Sequence, residues 1–441
     1  MNPQRFVRLV SGAMAALGIS AAAIVALNLR GEDPLPSAET LKPTPALVAQ
    51  GEYLTRVGNC MACHTVQGGA PFAGGRGIET PFGVVYSSNL TPDKATGLGA
   101  WTSAEFWRAM HNGRGKDGRL LYPAFPYTSY THVTREDSDA IFAYLQSLPP
   151  VAQANKAHVL RFPYSTQAAL GVWRALFFTP ADVAQPAASA PQALATAQVP
   201  DYQRGAYLVN GLGHCAACHT PRNSLGAEQQ GQALAGGLIP VQNWLAPALT
   251  DAGQAGVQRW PQADVVALLK TGVAPQASVI GPMAEVVFRS TQYLSDADAR
   301  AMAVYLQALP QHAATPAKQA VAPASVMERG AKVYEAQCAQ CHGVQGQGAK
   351  DEAGQPAFPP LAGNRAVVLA DPTNLVRVVL QGGYLPATAG NPRPHGMPPF
   401  QHLLGDEDVA AVATFVRNSW GHQAAGVGTI EVYRARERRS P

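Results

Sequence analysis

All six cysteines of the 441-residue chain fall in three copies of one pattern: Cys60-Met61-Ala62-Cys63-His64, Cys215-Ala216-Ala217-Cys218-His219 and Cys338-Ala339-Gln340-Cys341-His342. C-x-x-C-H is the attachment signature of a c-type haem. The two thiols add across the vinyl groups of the porphyrin, and the imidazole one residue further on becomes the proximal iron ligand. At this spacing one helical turn presents both sulfurs to the same macrocycle edge. Competing uses of the thiols fit less well. A redox CxxC pair needs no following histidine, and a zinc site wants two such pairs close together. Three covalently bound haems c are therefore expected, held by Cys60 and Cys63, Cys215 and Cys218, Cys338 and Cys341, with His64, His219 and His342 on the irons.

A haem that only passes electrons needs its sixth position filled, because an open iron invites small ligands. A methionine thioether does this and raises the potential by favouring Fe(II). In the second repeat Met283 stands in a Pro-stiffened loop, Val279-Ile280-Gly281-Pro282-Met283-Ala284-Glu285. In the third, Met397 stands in Pro394-His395-Gly396-Met397-Pro398-Pro399-Phe400, with His395 as its rival. The first repeat breaks the pattern, because Phe125 occupies the loop position where methionine is expected. Its remaining donors are Met110, His111 and His132. Met110 is the candidate ligand, but it aligns with Leu269 and also reads as a core residue; a second histidine or an open iron are further outcomes.

Small shells of helix must position these groups. A glycine precedes each motif, with a tyrosine close behind it: Gly51 and Tyr53, Gly205 and Tyr207, Gly330 and Tyr334. Each repeat closes on an amphipathic helix with an acidic first turn, Asp137–Leu148, Asp296–Leu309 and Asp406–Trp420, where acidic residues complement the positive helix end. Their apolar stripes recur at helical spacing: Ile141, Tyr144 and Leu145; Met302, Tyr305 and Leu306; Val412, Phe415 and Val416. First helix and last helix crossing beside a macrocycle let a unit of about 100 residues manage with little aliphatic core, since the haem itself buries apolar surface. The first two repeats also share Gly74-Gly75 with Gly236-Gly237, and helices that start after Trp101 and Trp260. The expectation is all-α: three tandem cytochrome c domains at 48–160, 201–310 and 326–420. Pro/Ala-rich linkers at 161–200 and 311–325 join them. A helix at 1–30 and a tether at 31–47 precede them. A tail at 421–441 follows, whose Arg434, Arg436, Arg438 and Arg439 suit anionic lipid, a partner, or plain solvation.

Charged residues make up only 14% of the chain, and Gly (42) and Pro (36) are abundant. The formal charge of +4 overstates the basicity of a protein that also carries haem propionates. No basic stripe interleaved with aromatics is present, so nucleic acid is not an expected partner. Arg5 and Arg8 precede an apolar run from Leu9 to Leu29, long enough to span a bilayer, with its positive end cytoplasmic. A retained signal anchor and a cleaved signal peptide, favoured by the small residues Ala21, Ala22, Ala23 and Ala26, are both open. Either places the body on the periplasmic side of the cytoplasmic membrane. No nucleotide-binding Gly-rich fingerprint and no Gly-x-Ser-x-Gly occurs, so no substrate-oxidising site is expected in this chain.

From about Gly51 to Trp420 the chain resembles the triple-haem cytochrome c subunits of membrane-bound periplasmic dehydrogenases. These include alcohol, aldehyde and gluconate dehydrogenases, and the cytochrome subunits that accompany molybdenum hydroxylases such as nicotinate dehydrogenase. The resemblance rests on the three C-x-x-C-H motifs, Ser87-Ser88-Asn89-Leu90-Thr91-Pro92, Leu121-Tyr122-Pro123-Ala124-Phe125-Pro126-Tyr127, Gly281-Pro282-Met283 and His395-Gly396-Met397-Pro398-Pro399-Phe400. It implies an electron-transfer subunit that takes electrons from a catalytic subunit (flavin-, PQQ- or molybdenum-dependent) and passes them to ubiquinone or a downstream cytochrome. Phe125 in place of methionine tilts the expected partner toward a molybdenum enzyme. The rival readings are a peroxidase-like protein with an open first haem, and a cytochrome subunit of a terminal oxidase.

Overall fold

In the computed structural model, which describes residues 3–32, 34–35, 41–185, 188–311, 322–352, 354 and 356–437, each C-x-x-C-H motif follows a helix and each repeat ends in one. The opening helices are Pro45–Val57, Val199–Tyr207 (continued by a π turn, Leu208–Leu212) and Ala324–Gln337. The closing helices are Arg135–Ser147, Asp296–Gln307 and Asp406–Arg417. Thr134 and Ser295 cap the first two, each side chain accepting from the backbone N–H of an aspartate three residues on. These bonds satisfy amides that have no partner within the helix.

Opening and closing helices touch through backbone. A Cβ on Gly51 would stand 1.8 Å from the carbonyl oxygen of Ala140; on Gly205, 2.0 Å from that of Ala301; on Gly330, 2.3 Å from that of Ala411. Any side chain at these positions would force the helices apart. Aromatic pairs flank two of the crossings, Tyr202 with Tyr305 at 5.2 Å and Tyr334 with Phe415 at 5.5 Å. A middle helix completes each shell: Ser103–Asn112, Gln262–Thr271 and Thr373–Gln381. The first carries a full capping box, Thr102 and Glu105 each bonding the other's backbone N–H, and ends at Gly113 in the left-handed region.

The fold is mostly helical, with short antiparallel ribbons between the helices. Gly77–Thr80 pairs with Gly83–Tyr86, which also takes Val159–Leu160, and Gly237–Ile239 pairs with Trp244–Ala246. In the third repeat Gly383–Tyr384 pairs with Gly396–Met397.

The described residues form two compact units, one from within 1–54, 63–185 and 224–227, the other from within 55–62, 186–223 and 228–441. In the second unit the second and third repeats are fastened together. The Asn374 side chain donates to Leu245 O at 2.8 Å and accepts from Leu245 N–H at 2.9 Å. Arg377 lies over the Trp244 ring, 4.7 Å from its centroid.

Two segments expected to be unstructured contain helix. Gln167–Phe177 is helical within the expected 161–200 linker, capped by Thr166. Thr429–Glu437 is helical within the expected tail and docks Val432 and Ala435 on Val376, Leu380, Val409 and Ala413. Arg436 is engaged there with Asp406 at 2.8 Å. Most of the expected 311–325 linker, and Arg438 and Arg439, lie outside the described residues. The amino-terminal run is one unbroken helix, Pro3–Leu29.

Candidate haem sites

Each attachment motif forms a short helical turn: Cys60–Cys63, Ala216–His219 and Ala339–His342. None of the six cysteines is in a disulfide. Desolvation pushes the Cys215 thiol up to about 12 and the Cys338 thiol up to about 11, the second cysteine of each pair adding to the rise. Thiol–disulfide exchange depends on a depressed thiol pKa. Cys215 and Cys338 are the reverse of that.

The three histidines share one geometry. His64 Nδ1 lies 2.7 Å from Ser88 O, His219 Nδ1 2.7 Å from Pro247 O, and His342 Nδ1 3.0 Å from Pro359 O. A carbonyl can only accept, so Nδ1 carries the proton and Nε2 keeps its lone pair for a metal. Desolvation lowers the pKa of all three rings, the carbonyl bond opposing it. They are neutral at pH 7, the form that ligates.

The acceptor segments hang on matching scaffolds. Gly74, Gly236 and Gly348 donate their backbone N–H to the carbonyls of His64, His219 and His342 at 2.8, 2.7 and 2.9 Å. All three glycines have positive φ (73°, 79° and 70°). A Cβ would run into the acceptor segment, 2.4 Å from Ser88 C, 2.6 Å from Ala248 N and 2.5 Å from Phe358 O respectively. Two residues beyond each acceptor a leucine N–H (Leu90, Leu249, Leu361) donates at 2.8 Å to Phe72, Leu234 or Gly346. In the first repeat the buried Asn89 adds bonds from Nδ2 to Thr96 Oγ1 (3.1 Å) and Val151 O (2.8 Å). Sequence reasoning picked out Gly74, Gly236 and the Ser87–Pro92 stretch, but missed Pro247, Pro359 and Gly348. The recurring acceptor-x-Leu was the available signal.

Met283 sits in the first turn of the helix Pro282–Arg289, not in a loop, because the backbone turns at Gly281 (φ 55°) directly against Trp244. Trp244 opens the strand Trp244–Ala246, which runs into Pro247, the acceptor for His219. Met397 lies on the short strand Gly396–Met397, and the adjacent His395 ring meets Phe358 at 4.6 Å, one residue before the acceptor for His342. One aromatic thus ties each methionine segment to its proximal carbonyl.

The first repeat places its donors differently. Met110 is buried in the helix Ser103–Asn112, with Ser138 Oγ of the closing helix 4.0 Å from its sulfur. The His111 ring is stacked on Trp107 at 4.5 Å, and His132 is half-buried just ahead of the closing helix. Phe125 packs on Tyr130 at 5.3 Å. A residue that sequence reasoning passed over is His214, which immediately precedes Cys215 and bonds the backbone of Gly58, two residues before Cys60.

Paired cysteines on a helical turn, followed by a carbonyl-held neutral imidazole, three times over, define a multihaem c-type cytochrome, and the donor set fits that cofactor. The Cytochrome c family model matches residues 48–149, 202–310 and 327–420, so the chain belongs to the cytochrome c family. It is 38% identical over 426 residues to the cytochrome c subunit of alcohol dehydrogenase (quinone) from Gluconacetobacter polyoxogenes, covering 92% of this chain and 87% of that one. It is 39% identical over 401 residues to the gluconate 2-dehydrogenase cytochrome c subunit of Pantoea cypripedii, covering 88% of each. A nicotinate dehydrogenase subunit of Pseudomonas putida is 40% identical over 382 residues, 85% of this chain but 30% of that one.

Proposed function

We propose that this chain takes electrons from a PQQ- or flavin-dependent catalytic subunit and delivers them to ubiquinone or another respiratory acceptor. It is the electron-transfer subunit of a periplasmic dehydrogenase, with three covalent haems and no substrate-oxidising site of its own. Its catalytic partner is a dehydrogenase subunit. The molybdenum leaning drawn from Phe125 is outweighed, because the alcohol and gluconate dehydrogenase subunits align along almost their whole length. The nicotinate dehydrogenase chain aligns over less than a third of its own.

The observation that carries this reading is the threefold repeat of a carbonyl-held imidazole after a cysteine pair. Bound haem supplies one-electron exchange at iron. The chain does the rest. Cys60, Cys63, Cys215, Cys218, Cys338 and Cys341 would fix the macrocycles covalently, and His64, His219 and His342 would hold the irons through Nε2. Met283 and Met397 would supply sulfur to the second and third. The first site is set apart by Phe125, and Met110 is read there as a core residue lining the site.

Two experiments test this. Co-purification from detergent-solubilised membranes identifies the partner, and a molybdenum hydroxylase in the complex would overturn the cofactor assignment. Met283→Ala and Met397→Ala should each remove the methionine-to-iron charge-transfer absorption of one haem. Each should also lower that haem's potential by a sizeable part of the roughly 0.8 V that axial ligands span. An unchanged spectrum in both variants would sink the ligand assignment.

A further inference from the structure

The helix Gln167–Phe177 buries Leu170 and Gly171 yet turns its charge inward and much of its apolar surface outward. Its one charged residue, Arg174, points inward and is 3% exposed, while the outward positions are apolar. Ala168, Val172 and Leu176 recur every fourth residue along one face, with Val172 43% and Leu176 61% exposed. The chain leading into it adds Phe162, 83% exposed, and Tyr164. Water is a poor solvent for such a face, and a contiguous apolar patch marks a surface that meets something else.

Where this helix sits says what that is. Its Gly171 approaches Ile24 and Asn28 of the amino-terminal helix, and Asn28 Nδ2 donates to Gly171 O at 2.9 Å. Arg174 returns the contact, donating from Nε to Asn28 Oδ1 at 3.0 Å. The chain beyond is clasped as well: Asn112 Nδ2 donates to Gly31 O at 2.9 Å, and Arg114 pairs with Glu32 at 2.9 Å. The stretch Ser11–Leu29 is long and apolar enough to cross a bilayer. At 1.5 Å per residue, Ile24 and Asn28 lie roughly 2–8 Å below its outer end. That is the depth at which an amphipathic helix rests among head groups and the first acyl carbons.

We propose that Gln167–Phe177, with Phe162 and Tyr164, lies in the outer interface of the bilayer as a second membrane contact, locked to the exit of the amino-terminal span through Asn28 and Arg174. The same lock makes the amino-terminal helix a retained part of the mature protein, since Asn28, Gly31 and Glu32 complete the bonding of Arg174, Asn112 and Arg114. Tyr164 and Trp173 are of the residue types enriched at membrane–water interfaces, Trp173 being half-buried with its indole N–H donating to Leu225 O at 2.9 Å.

The inference rests on reading Ser11–Leu29 as a span, and one experiment separates the two. The full-length holoprotein is placed in phosphatidylethanolamine/phosphatidylglycerol vesicles containing a diazirine lipid, with the reactive group either near the glycerol or at the acyl terminus. Cross-linked peptides are then mapped by mass spectrometry. The deep probe should label 11–29, and the shallow probe should label 159–177 as well. Val172→Glu combined with Leu176→Glu should lose the shallow labelling while the haem spectrum and the labelling of 11–29 persist. Labelling of 11–29 without any of 159–177 would overturn the interfacial helix and point to a protein partner on that face. Absence of 11–29 from the mature chain would overturn the lock, and its presence without deep labelling would overturn the span.

Discussion

At the scale of single residues, the three motif histidines stand out in the sequence because haem chemistry would fix their distance from the cysteines. Their supports do not. The acceptor for each histidine is a backbone carbonyl 17 to 28 residues downstream, and a carbonyl carries no residue identity. Asp93 illustrates how the first acceptor segment is held in shape. Its carboxylate accepts from the Thr96 hydroxyl and backbone N–H, both at 2.7 Å, and from Ala95 N–H, which keeps its pKa below the ordinary value. A carboxyl depressed in the folded state stabilises above its unfolded pKa of about 3.9 and loses that contribution as pH falls through the folded value. Asp93→Asn should therefore flatten the acid limb of the stability curve below about pH 4, as read by acid titration of the first haem's Soret band; an unchanged limb would remove Asp93 from that role. Met110→Leu should leave the first haem's spectrum and potential unchanged and cost under about 1.5 kcal/mol, as for a volume-conserving core swap. A changed spectrum would instead make Met110 the sixth ligand.

At the scale of elements, the opening and closing helices were legible from a glycine, a tyrosine and an apolar stripe. Their crossing depends on the missing side chain, and that can be tested directly. Gly205→Ala puts a methyl 2.0 Å from Ala301 O, so the helices Val199–Tyr207 and Asp296–Gln307 must separate. The expected cost is roughly 1–3 kcal/mol, seen as a lower denaturation midpoint. A midpoint equal to that of the native chain would show that the crossing is looser than the contact implies. The helices at Gln167–Phe177 and Thr429–Glu437 were hidden for a physical reason. The first buries an arginine beside Leu170 and leaves Val172 and Leu176 outward, and the second buries only Val432 and Ala435 among charged neighbours, so in neither does an apolar stripe mark the buried face. Met283 belongs with these: the proline that read as a loop stiffener occupies the first turn of a helix, where its missing N–H costs nothing.

At the scale of the whole molecule, three haem shells in one chain make sense as a route for electrons, and within the second unit fixed contacts hold two of the repeats together. In the second unit, Asn374 on Leu245 and Arg377 on Trp244 join the second and third repeats beside the Met283 turn. His214, bonded to the backbone of Gly58, links the segments just ahead of Cys60 and Cys215. His214→Ala should slow electron exchange between the first two haems without moving their potentials, as followed by pulse radiolysis with potentiometric titration. Unchanged exchange would show that the link carries no current. The relay itself is tested most directly by stopped-flow spectroscopy of the intact complex with its catalytic subunit, mixed with that subunit's substrate. Reduction of all three haems at rates no slower than steady-state turnover is the predicted result. Turnover that proceeds while any of the three stays oxidised, or reduces too slowly to keep pace, would contradict it.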